Sequence, residues 1–206
     1  QILVAGCGTG RQPLGIASRI KNCQVTAIDL SLSSLSYAKR KTLEYGFKNI
    51  DYIQGDILDL ANSNKQYDIV ESVGVLHHME KPMVGWKILT SCLKPGGLMK
   101  IGLYGEIGRK HIVKARDIIS KLKLGTSHHE MIELRSFLKK STDPTLITLT
   151  KEADFYSTSN YRDLIFHVQE HRFTAPELYN CIKTLKLNFL GFEYPNIEEK
   201  KRNQAI

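Results

Sequence analysis

Apolar and polar positions alternate in short blocks through the first hundred residues. Ile2–Ala5, Gln24–Ile28, Ile50–Gln54 and Tyr67–Val73 are brief apolar-rich runs, predicted as strands one to four. Pro13–Ile20 reads as the helix after the first of them. Ser31 caps a second helix running to Tyr45, with Leu32, Leu35 and Leu43 on its buried side and Gly46 as its stop. Pro82 suits the first turn of a third helix carrying Val84, Ile88, Leu89 and Leu93 at helical spacing. Lys94-Pro95-Gly96-Gly97 predicts a turn, because proline presets φ and glycine accepts positive φ, and Leu98–Tyr104 a fifth strand. Strands separated by helices of this length imply an α/β fold with a parallel sheet covered on both faces.

Beyond Gly105 the rhythm changes. Residues 106–123 and 127–140 read as rather basic helices, Asp143-Pro144 as an irregular stretch, Asp154-Phe155-Tyr156-Ser157 as loop and 160–171 as another helix. Thr174-x-x-Glu177 is a capping box opening a helix to Leu185, and Leu187–Tyr194 reads as strand six. One domain over 1–206 is expected, with its core in 1–104 and 174–194. The helical insert at 105–173 is the natural place for a substrate lid.

Composition narrows this modestly. The 206 residues suffice for one substantial core. Cys7, Cys23, Cys92 and Cys181 form no Cys-x-x-Cys pair, which points away from a zinc ribbon or disulfide framework and toward a reducing, cytoplasmic setting. No apolar run approaches the ~18 residues of a membrane helix, and no secretory leader is read. Gln1 stands where the first strand should already be starting, so a longer parent chain is expected. The net charge of +8 is spread evenly over both halves, with one concentration at Arg109, Lys110, Lys114, Arg116, Lys121 and Lys123, opposed there by Asp117. A solvated helix face is the favoured reading of it, ahead of a phosphate-binding surface and hence of a nucleic-acid partner.

The candidate chemistry starts at once. Strand one runs into Gly6-Cys7-Gly8-Thr9-Gly10, and Asp29 closes the second strand 19 residues after Gly10. Glycines at alternate positions let the backbone approach a ligand closely, and a helix starting after them points free N–H groups at it. A carboxylate about 20 residues on is placed for ribose hydroxyls, so the pattern predicts a nucleoside site. The dinucleotide fingerprint would need glycine at position 11, where this chain has Arg11.

With Gly55-Asp56-Ile57 after strand three, Tyr67-Asp68-Ile69-Val70 leading to Leu76-His77-His78-Met79, and Leu93-Lys94-Pro95-Gly96-Gly97, the chain resembles the class I (Rossmann-like) S-adenosylmethionine-dependent methyltransferases over nearly its whole length. Gly74–Met79 and His167–Thr174 also look like methyltransferase domains embedded in larger tetratricopeptide-repeat chains. The resemblance implies S-adenosylmethionine as cofactor, with Gly6, Cys7, Gly8, Thr9 and Gly10 at its methionine end. It further implies Asp29 on the ribose, Leu30 against the adenine, Asp56 on the adenine amino group with Ile57 packed on the ring, and Glu71 and Val73 near the methionine. The competing, less favoured reading makes Asp29 and Asp56 ordinary helix caps; for Val73 it is plain core. The family's doubly wound, mainly parallel sheet has strand order 3-2-1-4-5-7-6. Pro195–Ile206 is polar, so strand seven is expected to be absent from these residues, leaving strand five or six with an unpaired edge.

Methyl transfer needs an aligned nucleophile, excluded water and, for a hydroxyl acceptor, a base. His78, then His77, are the candidate bases, with Tyr104 orienting; a cap or a packing role beside the cofactor is the competing reading. His167-x-x-Glu170-His171 spells the inverted zincin signature, but no metal is assigned, because a third ligand and another fold would be needed. Tyr156, Tyr161, Arg162 and His167 are instead placed as lid groups facing an acceptor, against the reading of a solvent-exposed helix. Three functions compete: methyl transfer to a small-molecule oxygen or nitrogen acceptor, a non-catalytic methyltransferase-like scaffold in a larger chain, and a nicotinamide oxidoreductase, which Arg11 disfavours.

Overall fold

The computed structural model describes residues 1–166 and 169–193. Five strands, β1 (Ile2–Ala5), β2 (Val25–Asp29), β3 (Ile50–Gln54), β4 (Tyr67–Val73) and β5 (Leu93–Gly102), form one sheet in the order β3-β2-β1-β4-β5. All four pairings are parallel. Ile2 faces Val25 on one side and Ile69 on the other, so β1 is the central strand at which the winding reverses. Every residue of β1 is buried, as a strand covered on both faces requires.

Two helical layers provide that cover. Ile2, Val4, Val25, Ala27 and Ile50 pack with Ile16 of α1 (Arg11–Arg19) and Leu35 of α2 (Leu32–Glu44). Leu3, Ala5, Ile28 and Val70 pack on the opposite face with Trp86 and Leu89 of α3 (Pro82–Ser91). This is the Rossmann-like doubly wound architecture expected from the sequence.

Several expectations need correction. On α2, Leu35 is buried but Leu32 and Leu43 are 61% and 66% exposed; the buried stripe is Leu35, Ala38 and Thr42. The reason is tertiary. A Cβ at Gly10 would stand 2.7 Å from Ala38 Cβ, so the helix presents its small residue to the loop and turns the two leucines outward. Val84 of α3 is likewise exposed. β5 starts at Leu93, ahead of the predicted Leu98, and absorbs the Pro95-Gly96 turn as an irregularity, with register passing from Tyr67–Leu93 directly to Ile69–Leu98. It ends at Gly102, before Tyr104.

After β5 come α4 (Lys110–Leu122), α5 (His128–Lys139), α6 (Pro144–Leu149) and α7 (Thr158–Phe166). They enclose their own cluster, which includes Ile112, Leu134, Leu138, Leu149, Phe155 and Tyr161. The supposed irregular stretch at Asp143-Pro144 opens α6: Asp143 accepts from the Thr145 and Leu146 amides, and Pro144 takes the first turn. Residues 153–155 form a short 3₁₀ turn instead of open loop. The helix predicted over 160–171 is described as α7 as far as Phe166, and 169–172 are not helical. α8 (Ala175–Thr184) begins with the expected Thr174–Glu177 capping box.

Strand six does not form: residues 187–193 hold no ladder, and Tyr194 lies outside the described residues, as do Pro195–Ile206. In the expected order strand six would pair with strand seven, and no strand among the described residues takes that place. Among the described residues β5 is the last strand on that side of the sheet.

Candidate functional site

The carboxyl ends of β1, β2 and β4 converge where the winding reverses, the place at which open α/β sheets bind ligands. Gly6 and Gly10 are dictated by close approach: a Cβ on Gly6 would stand 2.2 Å from a Val75 methyl, and both residues take positive φ, +77° and +87°. Gly8 differs. A Cβ there would meet nothing within 4 Å, so the turn opens to solvent at that residue. Its amide donates to Asp29 Oδ2 at 2.7 Å, while Asp29 Oδ1 accepts from the Ser31 amide at 2.9 Å. Each oxygen of that half-buried carboxylate keeps a second lone pair. Thr9 is exposed, and Cys7 is buried, its thiol pushed up to about 12 by desolvation and then by the Asp29 charge, which makes it a poor nucleophile.

Leu30, beside Asp29, is 67% exposed, an apolar surface at the rim. Asp56 caps the 3₁₀ turn 57–62 through the Leu58 amide at 2.9 Å and a reciprocal contact with Asp59, while Ile57 is buried beneath it. Glu71 lies two residues inside the end of β4, 9% exposed and 3.9 Å from Lys100 Nζ. Val73 ends β4 and packs on Gly102, where a Cβ would strike it at 2.6 Å. An open glycine turn, a carboxylate with spare acceptor capacity and an uncovered leucine beside it fit a nucleoside carrying a sugar diol and a flat base.

The histidines stand at the end of β4. His77 is fully buried, its ring 3.9 Å from Tyr104 and 4.1 Å from His78, centroid to centroid. Burial, then the neighbouring His78, lower its pKa to about 4, so it is neutral near pH 7. His77 thus presents no surface to a substrate. His78 is half-buried, and its Nδ1 lies 3.0 Å from the Gln169 carbonyl. A carbonyl only accepts, so the hydrogen is assigned to Nδ1 and the basic lone pair of the neutral ring to Nε2. Tyr104 sits past the end of β5, half-buried, its hydroxyl pKa raised mainly by desolvation.

The proposed lid groups divide. Tyr161 is fully buried, because α7 turns Tyr161, Leu164 and Ile165 together into the insert's own core, so it does not face an acceptor. Tyr156 is exposed, its hydroxyl donating to the Thr150 carbonyl at 2.8 Å, and Arg162 is exposed on α7. His167 lies outside the described residues. Glu170 and His171 stand on non-helical backbone, and both Glu170 oxygens accept from arginines, so the zincin spacing does not produce its helical geometry. Of the basic concentration, Arg109 and Arg116 bind Glu170, Lys121 pairs with Asp117 and Lys114 with Asp143. Sequence reasoning placed Arg109 only on a solvated basic face and assigned Gln169 no role; the one available signal was an acid, Glu170, late in a basic insert.

No helix among the described residues is long and apolar enough to cross a membrane. A family profile described as a methyltransferase domain matches residues 2–97. The chain is 32% identical to a malonyl-[acyl-carrier protein] O-methyltransferase of Halalkalibacterium halodurans, over 89% of this chain and 80% of that protein. It is 30% identical to an uncharacterised protein of Synechococcus sp. across 93% of its own length, but spans only about half (48%) of that relative. Among solved structures, PKMT2 from Rickettsia typhi in complex with AdoHcy superposes with TM-score 0.72 at 22% identity, covering 99% of this chain and 44% of the other.

Proposed function

Because the chain belongs to the class I S-adenosylmethionine-dependent methyltransferases, we propose that it binds S-adenosylmethionine at the carboxyl ends of β1, β2 and β3 and methylates an oxygen or nitrogen of a small-molecule acceptor. The observation that carries this reading is the 2.7 Å contact from the Gly8 amide to Asp29. It holds the glycine turn against a carboxylate whose remaining lone pairs are placed for a vicinal diol. Residues 6–10 take the methionine end, with Glu71 and Val73 nearby; Leu30 and Ile57 flank the adenine, and Asp56 accepts from its amino group. Two relatives named as O-methyltransferases, from Halalkalibacterium halodurans and Marinobacter nauticus, favour an oxygen acceptor.

When bound, S-adenosylmethionine supplies an electrophilic methyl group whose departure needs no acid. The protein's own task is to align the acceptor, exclude water and, for a hydroxyl, take its proton. His78 does this through Nε2, while Nδ1–H stays on the Gln169 carbonyl. Tyr104 borders the same space. The insert at 105–173 closes over the acceptor as a lid, in a cytoplasmic setting. The likeness to domains of tetratricopeptide-repeat proteins belongs to the same proposal.

Incubation with methyl-labelled S-adenosylmethionine and a fractionated metabolite extract tests this reading. Label in a low-mass product supports it. Cofactor uptake with no transfer to any fraction would favour the scaffold reading instead.

A further inference from the structure

Three consecutive residues, Gln169-Glu170-His171, reach the histidine corner from three directions. The Gln169 carbonyl accepts from His78 Nδ1 at 3.0 Å, and the His171 amide donates to the His77 carbonyl at 2.8 Å. Between them the Glu170 side chain, 1% exposed, accepts from Arg109 Nε at 3.1 Å and Nη2 at 2.6 Å, and from Arg116 Nη2 at 3.0 Å. Arg109 in turn sits over Tyr104, its Cζ 3.9 Å from the ring centroid, and Tyr104 rests on His77. Arg116 also donates to the Leu164 and Ile165 carbonyls at the end of α7. One carboxylate therefore joins α4, α7 and the strap at 169–171 to the stack Arg109–Tyr104–His77–His78.

We propose that Glu170 is a positioning residue: by clamping Arg109 and Arg116 it seats the strap whose Gln169 carbonyl fixes His78 in the Nδ1–H tautomer. The inference rests on the reading of His78 as base. Its physical basis is the cost of the arrangement: two arginines and a glutamate stripped of water stay together only with near-complete mutual hydrogen bonding, which makes the geometry stiff. Outer-shell partners of this kind set which imidazole nitrogen carries the proton. Glu170 does not touch the acceptor.

The test compares the full chain with Glu170→Gln and Arg109→Lys, reading histidine tautomers by ¹⁵N-edited NMR, with His78 assigned through His78→Gln. S-adenosylhomocysteine affinity is measured in parallel by calorimetry. The clamp predicts Nδ1–H at His78 in the parent and a mixture of tautomers in both variants, with affinity unchanged to within about two-fold because the cofactor residues are separate. An unaltered His78 tautomer in both variants would overturn the proposal. So would loss of the fold in both, which would make Glu170 a stability element. A parent that shows the tautomer dependence but ignores S-adenosylhomocysteine would sink the methyltransferase reading and leave the clamp standing.

Discussion

The Gly8 amide donates to Asp29 Oδ2 at 2.7 Å, tying the turn after β1 to the end of β2. One carboxylate thereby organises two neighbouring strand ends, since its other oxygen holds the Ser31 amide at the start of α2. Asp29→Ala removes two charge-assisted hydrogen bonds and the proposed diol acceptor together. Each such bond contributes about 1.5–3 kcal/mol, so S-adenosylhomocysteine affinity should fall at least ~10-fold by calorimetry and the melting temperature should drop. Unchanged affinity would remove Asp29 from the site.

The glycines separate packing from binding. Gly6→Ala drives a Cβ to 2.2 Å from Val75 at φ +77° and should cost about 1–3 kcal/mol in denaturant unfolding. Gly8→Ala meets open space, leaving only the left-handed backbone penalty of roughly 1 kcal/mol. Its larger effect should be on ligand affinity. Equal stability losses in the two variants would contradict the assignment of Gly8 to the open side.

His77 gives a pH signature. Its folded pKa of about 4 lies below the ordinary 6.5, so the unfolded chain binds the extra proton first. Its contribution to stability is complete above pH 6.5 and is lost as pH falls toward 4. The urea midpoint should decline across that window more steeply in the parent than in His77→Phe, which also keeps an aromatic ring in the stack. Parallel declines would show that His77 is not the group being protonated.

How much of this was legible follows from range. β1, β3 and β4 were readable because each is a local apolar run bounded by turn residues. The outward turn of Leu32 and Leu43 was not, since it depends on Ala38 meeting Gly10 across the structure. Asp143-Pro144 is ambiguous locally, being both turn chemistry and a helix start. Leu187–Glu193 has a strand's composition, yet among the described residues it joins no ladder. The contact of Gln169 with His78 spans 91 positions, and no periodicity in the sequence encodes it.

The insert's separate cluster predicts separable stability. Leu138, fully buried there, should cost about 2–5 kcal/mol when changed to alanine. Hydrogen exchange in that variant should quicken across α4 to α7 while amides of β1 and β4 stay protected. Uniform loss of protection would mean that the sheet and the insert unfold as one.

Calorimetric titration of the purified chain with S-adenosylhomocysteine, with NADH as the control, tests the central claim most directly. The account predicts saturable one-to-one heat with the nucleoside thioether, at least ~10-fold weaker in Asp29→Ala, and none with the dinucleotide. Heat with NADH alone, or no response to the thioether at millimolar concentration, would contradict it.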